Sequence, residues 1–508
     1  MSHDRFYITT PIYYVNADPH VGHAYTTIMA DIFARHHRQR GEEVFFLTGT
    51  DEHGAKIARA ADAAGHTPKA HADALSARFR DLGRVLEASN DFFIRTTDPE
   101  HIAEVQRLLS VMHERGDIYK GSYGGWYCTP CEAFYVEGEL SDGNTCPIHG
   151  TPVEWLEEEN WFFRLSAYRE RLLAHFDAHP GWVVPGPRFN EARRMIADGL
   201  EDLSISRSQI SWGVPVPWDP DQVIYVWVDA LFNYWTALGY GAGPDGTRFW
   251  PPDLQLMAKD ILKFHAVIWP ALLMAAEIEL PARLAIHGYV LKGGEKMSKT
   301  TGNLVDPFPF IEDYGIDALR YYLTREIRFG EDGTFSAEGF DARYTGELAN
   351  ELGNLLNRTV NMIGRYREGV VPADRGLDQE IAAEFALRAA EIVAAFDAAD
   401  LTRAVETAWV LVRALNRLVE QRAPWVLAKD PAATDALDQV LFTLAAGLTS
   451  VIILLWPVIP GSAERALASL GRDPGAVALS DAAFGSGVAG ARVTAIPPLF
   501  PRVEGRPE

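Results

Sequence analysis

The chain has 508 residues, too many for one hydrophobic core and enough for several units of about 100–200 residues each. Its 47% hydrophobic and 23% charged residues exclude general disorder, and a formal charge of -22 excludes a protein that coats nucleic acid through an overall basic surface. All three cysteines fall between positions 128 and 146, which is no disulfide framework, and Met1-Ser2-His3-Asp4-Arg5 lacks the regions of a secretory signal, so a reducing, cytoplasmic setting is expected.

In chain order, Phe6-Tyr7-Ile8-Thr9-Thr10-Pro11-Ile12-Tyr13 is rich in β-branched and aromatic residues and predicts a buried strand. Asn16-Ala17-Asp18-Pro19 predicts a turn. Val21, Ile28, Ile32 and Phe33 recur at helical spacing between His20 and Arg40, Gly41 caps that helix, and Glu43-Val44-Phe45-Phe46-Leu47-Thr48 predicts the next strand. This is a βαβ unit, with His20-Val21-Gly22-His23 where strand hands over to helix. Both imidazoles are expected on the first helical turn, where free backbone N–H groups and the helix dipole favour a polyphosphate. Gly22 would let a flat ring or a phosphate approach the backbone. Taken alone, a solvated helix start explains the four residues more simply.

Thr50-Asp51-Glu52-His53-Gly54 follows at the carboxyl end of the second strand, where open parallel sheets bind ligands. Asp51 is therefore a candidate for an ammonium or a ribose, with a helix N-cap as the alternative. Residues 55 to 115 alternate helical patterns with a short strand, Asp91-Phe92-Phe93-Ile94-Arg95.

At Gly116 the character changes to aromatics, glycines and turns. Cys128-x2-Cys131 and, with fourteen residues between, Cys146-x2-His149 supply three thiolates and an imidazole in two tight turns stiffened by Pro130 and Pro147. That closed tetrahedral set suits one zinc ion. With no open position, the ion would organise a fold and perform no chemistry; reduced structural cysteines are the alternative.

Gln222-Val223-Ile224-Tyr225-Val226-Trp227 predicts a strand running into a helix with Asp229, Ala230 and Tyr234. After Leu256-Met257-Ala258-Lys259-Asp260-Ile261 comes a helical stretch in which Ile261, His265 and Trp269 fall at i, i+4 and i+8 on one face. With Ile12, Tyr14, Trp227 and Tyr234 they are candidates for an aromatic pocket holding one imidazole, though each alone suits ordinary core. Ala285-Ile286-His287-Gly288-Tyr289-Val290-Leu291 predicts a strand feeding Lys292-Gly293-Gly294-Glu295-Lys296-Met297-Ser298-Lys299-Thr300, a basic loop able to close on a polyphosphate.

Residues 345 to 465 hold long helical patterns and predict an all-α domain. Its first helix carries Asn354 and Arg358 on one face, and a later one runs into Ala423-Pro424-Trp425, placing an indole near a helix end where an unpaired base can stack. Val440 to Ile459 lacks charge and nearly matches a bilayer span, but Pro457, Pro460 and acidic flanks favour a buried bundle helix. After Leu470 a Gly/Ala/Ser/Pro-rich tail is expected to pack along the surface.

This order of motifs resembles that of class I aminoacyl-tRNA synthetases over nearly the whole chain, with Val21 replacing isoleucine in the HIGH signature and Thr300 the final serine of KMSKS. Within the class it is most similar to methionyl-tRNA synthetases of bacterial type with a single zinc knuckle. The likeness rests on Pro11-Ile12-Tyr13-Tyr14-Val15-Asn16, Thr48-Gly49-Thr50-Asp51-Glu52-His53-Gly54, Tyr225-Val226-Trp227-Val228-Asp229-Ala230 and Lys259-Asp260-Ile261-Leu262-Lys263-Phe264-His265. It implies an α/β fold, a Rossmann-like doubly wound parallel sheet split by a zinc-knuckle insertion, then an all-α helical bundle. The segments are 1–116 and 221–291 (the two sheet halves), 117–220 (the insertion), 292–344 (the KMSKS loop and stem-contact region), 345–465 (the anticodon-binding domain) and 466–508 (the tail).

The resemblance further implies ATP-dependent activation of L-methionine and its transfer to initiator and elongator tRNA(Met). His20, His23, Lys296 and Lys299 would be catalytic and, with Gly22, Ser298 and Mg²⁺, bind ATP. Asp51 would hold the α-amino group, and Ile12, Tyr14, Trp227, Ala230, Tyr234, Ile261, His265 and Trp269 would surround the side chain. Asn354, Arg358, Pro424 and Trp425 would read the anticodon. Only 272 residues separate His23 from Lys296, leaving little room for a large editing insertion. Many relatives carry a further C-terminal dimerisation domain that this chain lacks, so a monomer with no membrane partner is expected. A cysteinyl enzyme, an adenylyltransferase acting without tRNA and a tRNA-binding module with decayed catalysis are the alternatives.

Overall fold

The computed structural model describes residues 4–129, 133–148, 150–297, 303–376, 378–475 and 477–503. It divides into two compact units, one of Met1–Asp4, His20–Val44 and His287–Glu508, the other of Arg5–Pro19 and Phe45–Ile286.

The second unit holds a seven-stranded sheet in the order Tyr13–Tyr14, Glu43–Asp51, Arg5–Thr9, Leu254–Ala258, Leu284–His287, Val183–Val184, with Phe92–Arg95 also paired to Glu43–Asp51. The registers are parallel: Ile8 opposite Leu254, Leu47 opposite Phe92, Tyr14 opposite Asp51, Leu284 opposite Val183. Parallel strands covered on both faces read as unbroken apolar runs, and Phe45, Phe46 and Leu47 are all buried. The fold is Rossmann-like, as expected.

Four strand readings change. Phe6 to Tyr13 is two strands, Arg5–Thr9 and Tyr13–Tyr14, because Pro11 between them has no N–H to give a ladder. The stretch read as turns after Gly116 contains a long antiparallel hairpin, Ile118–Cys128 against Glu154–Phe163, in register from Ile118 opposite Phe163 to Tyr127 opposite Glu154. The strand placed at 222–227 is Asp219–Ile224, and it belongs to a small antiparallel sheet with Ser206–Arg207 and Pro215–Val216, so Trp227 falls in the helix Val226–Leu231. The run 285–291 divides between Leu284–His287 in the main sheet and Val290–Lys292 in another. Val183–Val184, from within the insertion segment, supplies an edge strand to the main sheet.

The first unit contains the helix Val21–Gln39, ended by Gly41 at φ +84°, a conformation that costs a residue without Cβ little. Its helical part includes Ile316–Glu326, Asn354–Arg367, Leu401–Arg422 and Thr434–Leu455. The last is apolar enough to cross a membrane, yet its apolar stretch is wholly buried, as expected of a bundle helix. The tail buries Val488, Val493, Leu499 and Phe500, and its backbone bonds to Gly369 and Val371.

Candidate functional site

The helix Val21–Gln39 opens with a cap built from histidines. His20 is extended (φ −138°, ψ 176°), its Nδ1 accepts the Gly22 N–H at 3.1 Å, and His23 Nδ1 accepts the His20 N–H at 3.1 Å. Val21 N–H donates to Val305 O at 3.0 Å and His23 N–H to His20 O at 2.9 Å. These leading amides are therefore paired within the chain, and the expectation of free N–H groups waiting for a polyphosphate is overturned. His20 is the cap itself, one step before the first turn. With Nδ1 accepting, each neutral imidazole carries its proton on Nε2, which makes that atom a donor. The rings lie 3.9 Å apart, and burial, then the nearby His20, holds the His23 pKa well below its ordinary value. A Cβ on Gly22 would come to 2.9 Å from His20 Cε1, so the flat ring this glycine admits is the protein's own.

The lysine-bearing segment is tied to the same helix at both ends. On the leading side His287 Nδ1 donates to Gly288 O at 2.8 Å, which leaves Nε2 to accept the Thr26 hydroxyl at 2.9 Å. On the returning side stands the Val21–Val305 bond. Between them, Val290–Lys292 pairs with Glu295–Lys296 and with Gly333–Phe335. The Lys296 ammonium lies 4.1 Å over the Tyr289 ring. Ser298 and Lys299 lie outside the described residues.

In the second unit, Asp51 is buried at the last position of its strand, opposite Tyr14. His53 Nδ1 meets Asp229 at 2.8 Å. Trp227 stacks on Phe264 with centroids 3.9 Å apart and an 11° tilt. His265 Nδ1 donates to Ile261 O at 3.0 Å, so its Nε2 accepts the Tyr234 hydroxyl at 2.7 Å. Burial lowers the His265 pKa to about 4, so this imidazole is neutral near pH 7. Ile261, His265 and Trp269 do not share one regular α-helix: Lys259–Ile261 is a 3-10 turn, Phe264–Ile268 is π-helical, and the α-helix starts at Trp269. In the widened turn the consecutive residues Phe264 and His265 meet different partners, Trp227 and Tyr234. Trp269 is fully buried against Phe232, its indole N–H on Gln255 Oε1 at 3.2 Å; Ala230 is buried, and Ile12, Tyr14 and Ile261 are partly buried at the rim of the same core.

Sequence reasoning passed over Phe264 as a stacking partner, and Arg207. Arg207 is 5% exposed, its guanidinium lies 4.2 Å over the Tyr225 ring and donates to Ser206 O at 2.7 Å, and it lines a small pocket, with room for about one water, together with Gly54, Tyr127, Trp212 and Tyr225. A lone arginine in a polar stretch gives no periodic signal.

Cys128, at the end of its strand, and Cys146 are buried in one small cluster with Val153, and the turn after Cys146 is closed by Gly150 N–H on Cys146 O and Cys146 N–H on Thr151 O, both 2.8 Å. Two thiols gathered in a cluster too small to be a core fit a metal-organised knuckle. Cys131 and His149 lie outside the described residues, and among the described residues no group of three ligands occurs. In the helical part Asn354 is exposed and Arg358 partly so, one turn apart on Asn354–Arg367. The left-handed Ala423 ends Leu401–Arg422, Pro424 is buried at the start of the short helix Pro424–Leu427, and Trp425 is 43% exposed.

The family model "tRNA synthetases class I (M)" matches residues 6–152 and 136–360. A methionine–tRNA ligase of Streptomyces coelicolor is 46% identical over 99% of this chain and 97% of its own length, and one of Bacillus subtilis is 43% identical over 99% of this chain and 79% of its own. The solved structure of Mycobacterium tuberculosis methionyl-tRNA synthetase in complex with methionyl-adenylate is 42% identical and superposes with a TM-score of 0.94 over 98% of this chain and all of that one. The chain belongs to the class I aminoacyl-tRNA synthetases and, within them, to the methionyl-tRNA synthetases.

Proposed function

We infer that the chain activates L-methionine with ATP to methionyl-adenylate and pyrophosphate, then transfers the methionyl group to the 3′-terminal ribose of initiator and elongator tRNA(Met), releasing AMP. The observation that carries this reading is the double tether of the lysine segment, through Val305 and His287, to the helix that His20 caps. With both flanks of the segment bonded to that helix, the reading assigns Lys296 and Lys299 to the same phosphates as the two imidazoles.

In the first step a carboxylate oxygen of methionine attacks the α-phosphorus, the bond to the β-phosphate breaks, and pyrophosphate leaves with the electron pair. No protein nucleophile takes part, so the side chains align groups and stabilise charge. His20, through Nε2–H, His23 likewise, Lys296 and Lys299 act on the phosphates, with Gly22 and Ser298 beside them, and Mg²⁺ accompanies ATP. Asp51 takes the α-ammonium. Trp227, Tyr234, His265, Ala230, Ile12, Tyr14 and Ile261 enclose the thioether, with Trp269 supporting them from behind. A neutral His265 fixed by Ile261 O and Tyr234 presents no charge to an uncharged side chain. Selection of methionine against leucine and isoleucine then rests on shape, worth about 1–3 kcal/mol per methylene, and on sulfur–aromatic contact.

Cys128, Cys131, Cys146 and His149 hold one structural zinc, and Asn354, Arg358, Pro424 and Trp425 read the anticodon. The enzyme works as a cytoplasmic monomer. Pyrophosphate exchange with each amino acid, followed by charging of initiator and elongator tRNA, tests the whole reading: exchange with methionine alone and charging of both tRNAs is expected. Exchange with cysteine, or exchange without charging, overturns it.

A further inference from the structure

Asp229 is completely buried between two imidazoles. Its Oδ2 lies 2.8 Å from His53 Nδ1 and its Oδ1 lies 2.9 Å from His101 Nε2, while His101 Nδ1 lies 2.7 Å from Thr236 Oγ1. Burial alone would raise the Asp229 pKa, but the two histidines bring it down to about 2. An ionised carboxylate only accepts hydrogen bonds, so it fixes the proton of His53 on Nδ1 and that of His101 on Nε2. The remaining nitrogen of His101 then accepts the Thr236 hydroxyl.

What this chain connects is specific. His53 stands two residues after Asp51, at the end of its strand. Asp229 lies between Trp227 and Ala230 in Val226–Leu231, and Thr236 is two residues after Tyr234 in Asn233–Tyr240. His101, on the helix Pro99–Glu114, belongs to none of the signature segments, yet it is the piece that completes the link. Resting on the reading of these walls as the methionine pocket, we propose that Asp229 and His101 are positioning residues that set methionine affinity by locking the ammonium end and the aromatic side of the pocket in one geometry.

The test is steady-state pyrophosphate exchange by the full chain. His101→Phe keeps an aromatic ring at the position but loses both hydrogen bonds; it should raise KM for methionine about tenfold, a misplacement effect, and leave KM for ATP within about twofold. His101→Gln, which retains a donor toward Asp229, should recover part of the loss. Thr236→Val, similar in volume, provides the same readout should His101→Phe not fold, with a smaller shift in the same direction. Lower thermal stability with an unchanged methionine KM, or equal rises in both KM values, overturns the proposal. Trp227→Ala separates the two levels: a silent Trp227→Ala brings down the pocket assignment, whereas a raised methionine KM there beside silent His101 and Thr236 variants brings down only the positioning role.

Discussion

Arg95 grips Glu52 with two parallel hydrogen bonds, Nε to Oε1 at 2.7 Å and Nη2 to Oε2 at 2.8 Å. Glu52 is wholly buried between Asp51 and His53, and the Thr50 and Thr97 hydroxyls supply its other donors at 2.7 Å and 2.6 Å. The candidate ammonium-binding carboxylate is thus flanked by a residue held through a buried ion pair. Arg95→Met would leave the Glu52 charge buried with hydroxyl donors alone, a change that costs about 3–5 kcal/mol. Urea unfolding should register a loss of that order; a loss below about 1 kcal/mol would mean the pair contributes no more than a surface one.

His265 supplies a pH signature. Its folded pKa of about 4 lies below the ordinary 6.5, so the unfolded chain binds this proton first. Stability from this group is complete above about pH 6.5 and is lost as pH falls toward 4, at up to about 1.4 kcal/mol per pH unit. His36, buried against Phe396 and lowered to about 3, acts in the same direction. Denaturation curves at pH 7.5, 6 and 5 should show His265→Gln with a shallower acid dependence than the parent. Parallel dependences would remove the assignment of a buried neutral imidazole.

Zinc removal tests the knuckle. Cys128→Ser should abolish stoichiometric zinc in metal analysis of protein purified without chelator and increase proteolysis between 117 and 165. Full zinc content in that variant would rule out the Cys128, Cys131, Cys146, His149 set.

Trp425 presents its indole to solvent at a helix end. Trp425→Ala should raise KM for tRNA about tenfold, in keeping with about 1–3 kcal/mol for one stacked base, and leave methionine-dependent exchange unchanged. A matching fall in exchange would assign this residue to the fold instead of to the anticodon.

The sheet was legible because buried parallel strands are apolar runs bounded by turns, and the helix after His20 because its period and its glycine cap agree. The hairpin around Trp126 and Trp155 was not, since Gly121, Gly124 and Gly125 mask its alternation and its partner strand is the acidic run Glu154 to Glu159. The one-face reading of Ile261, His265 and Trp269 assumed 3.6 residues per turn, which the π-helical segment breaks. The histidine cap was legible as a pair of residues but not as geometry. That Nδ1 of each ring turns back on the chain and accepts a backbone amide depends on rotamers that spacing does not encode. His101 carried no signal because its partner Asp229 is 128 positions away.

The central claim is that the histidine cap and the tethered lysine segment act on one triphosphate. A double-mutant cycle on single-turnover formation of methionyl-adenylate tests it, using His20→Ala, Lys299→Ala and the double variant. Each single change should slow the step by about 10²–10³-fold, and the double variant should lose far less than the product of the two, because both groups stabilise the same developing charge. Losses that multiply, or a Lys299→Ala enzyme with the parent's rate, would contradict it.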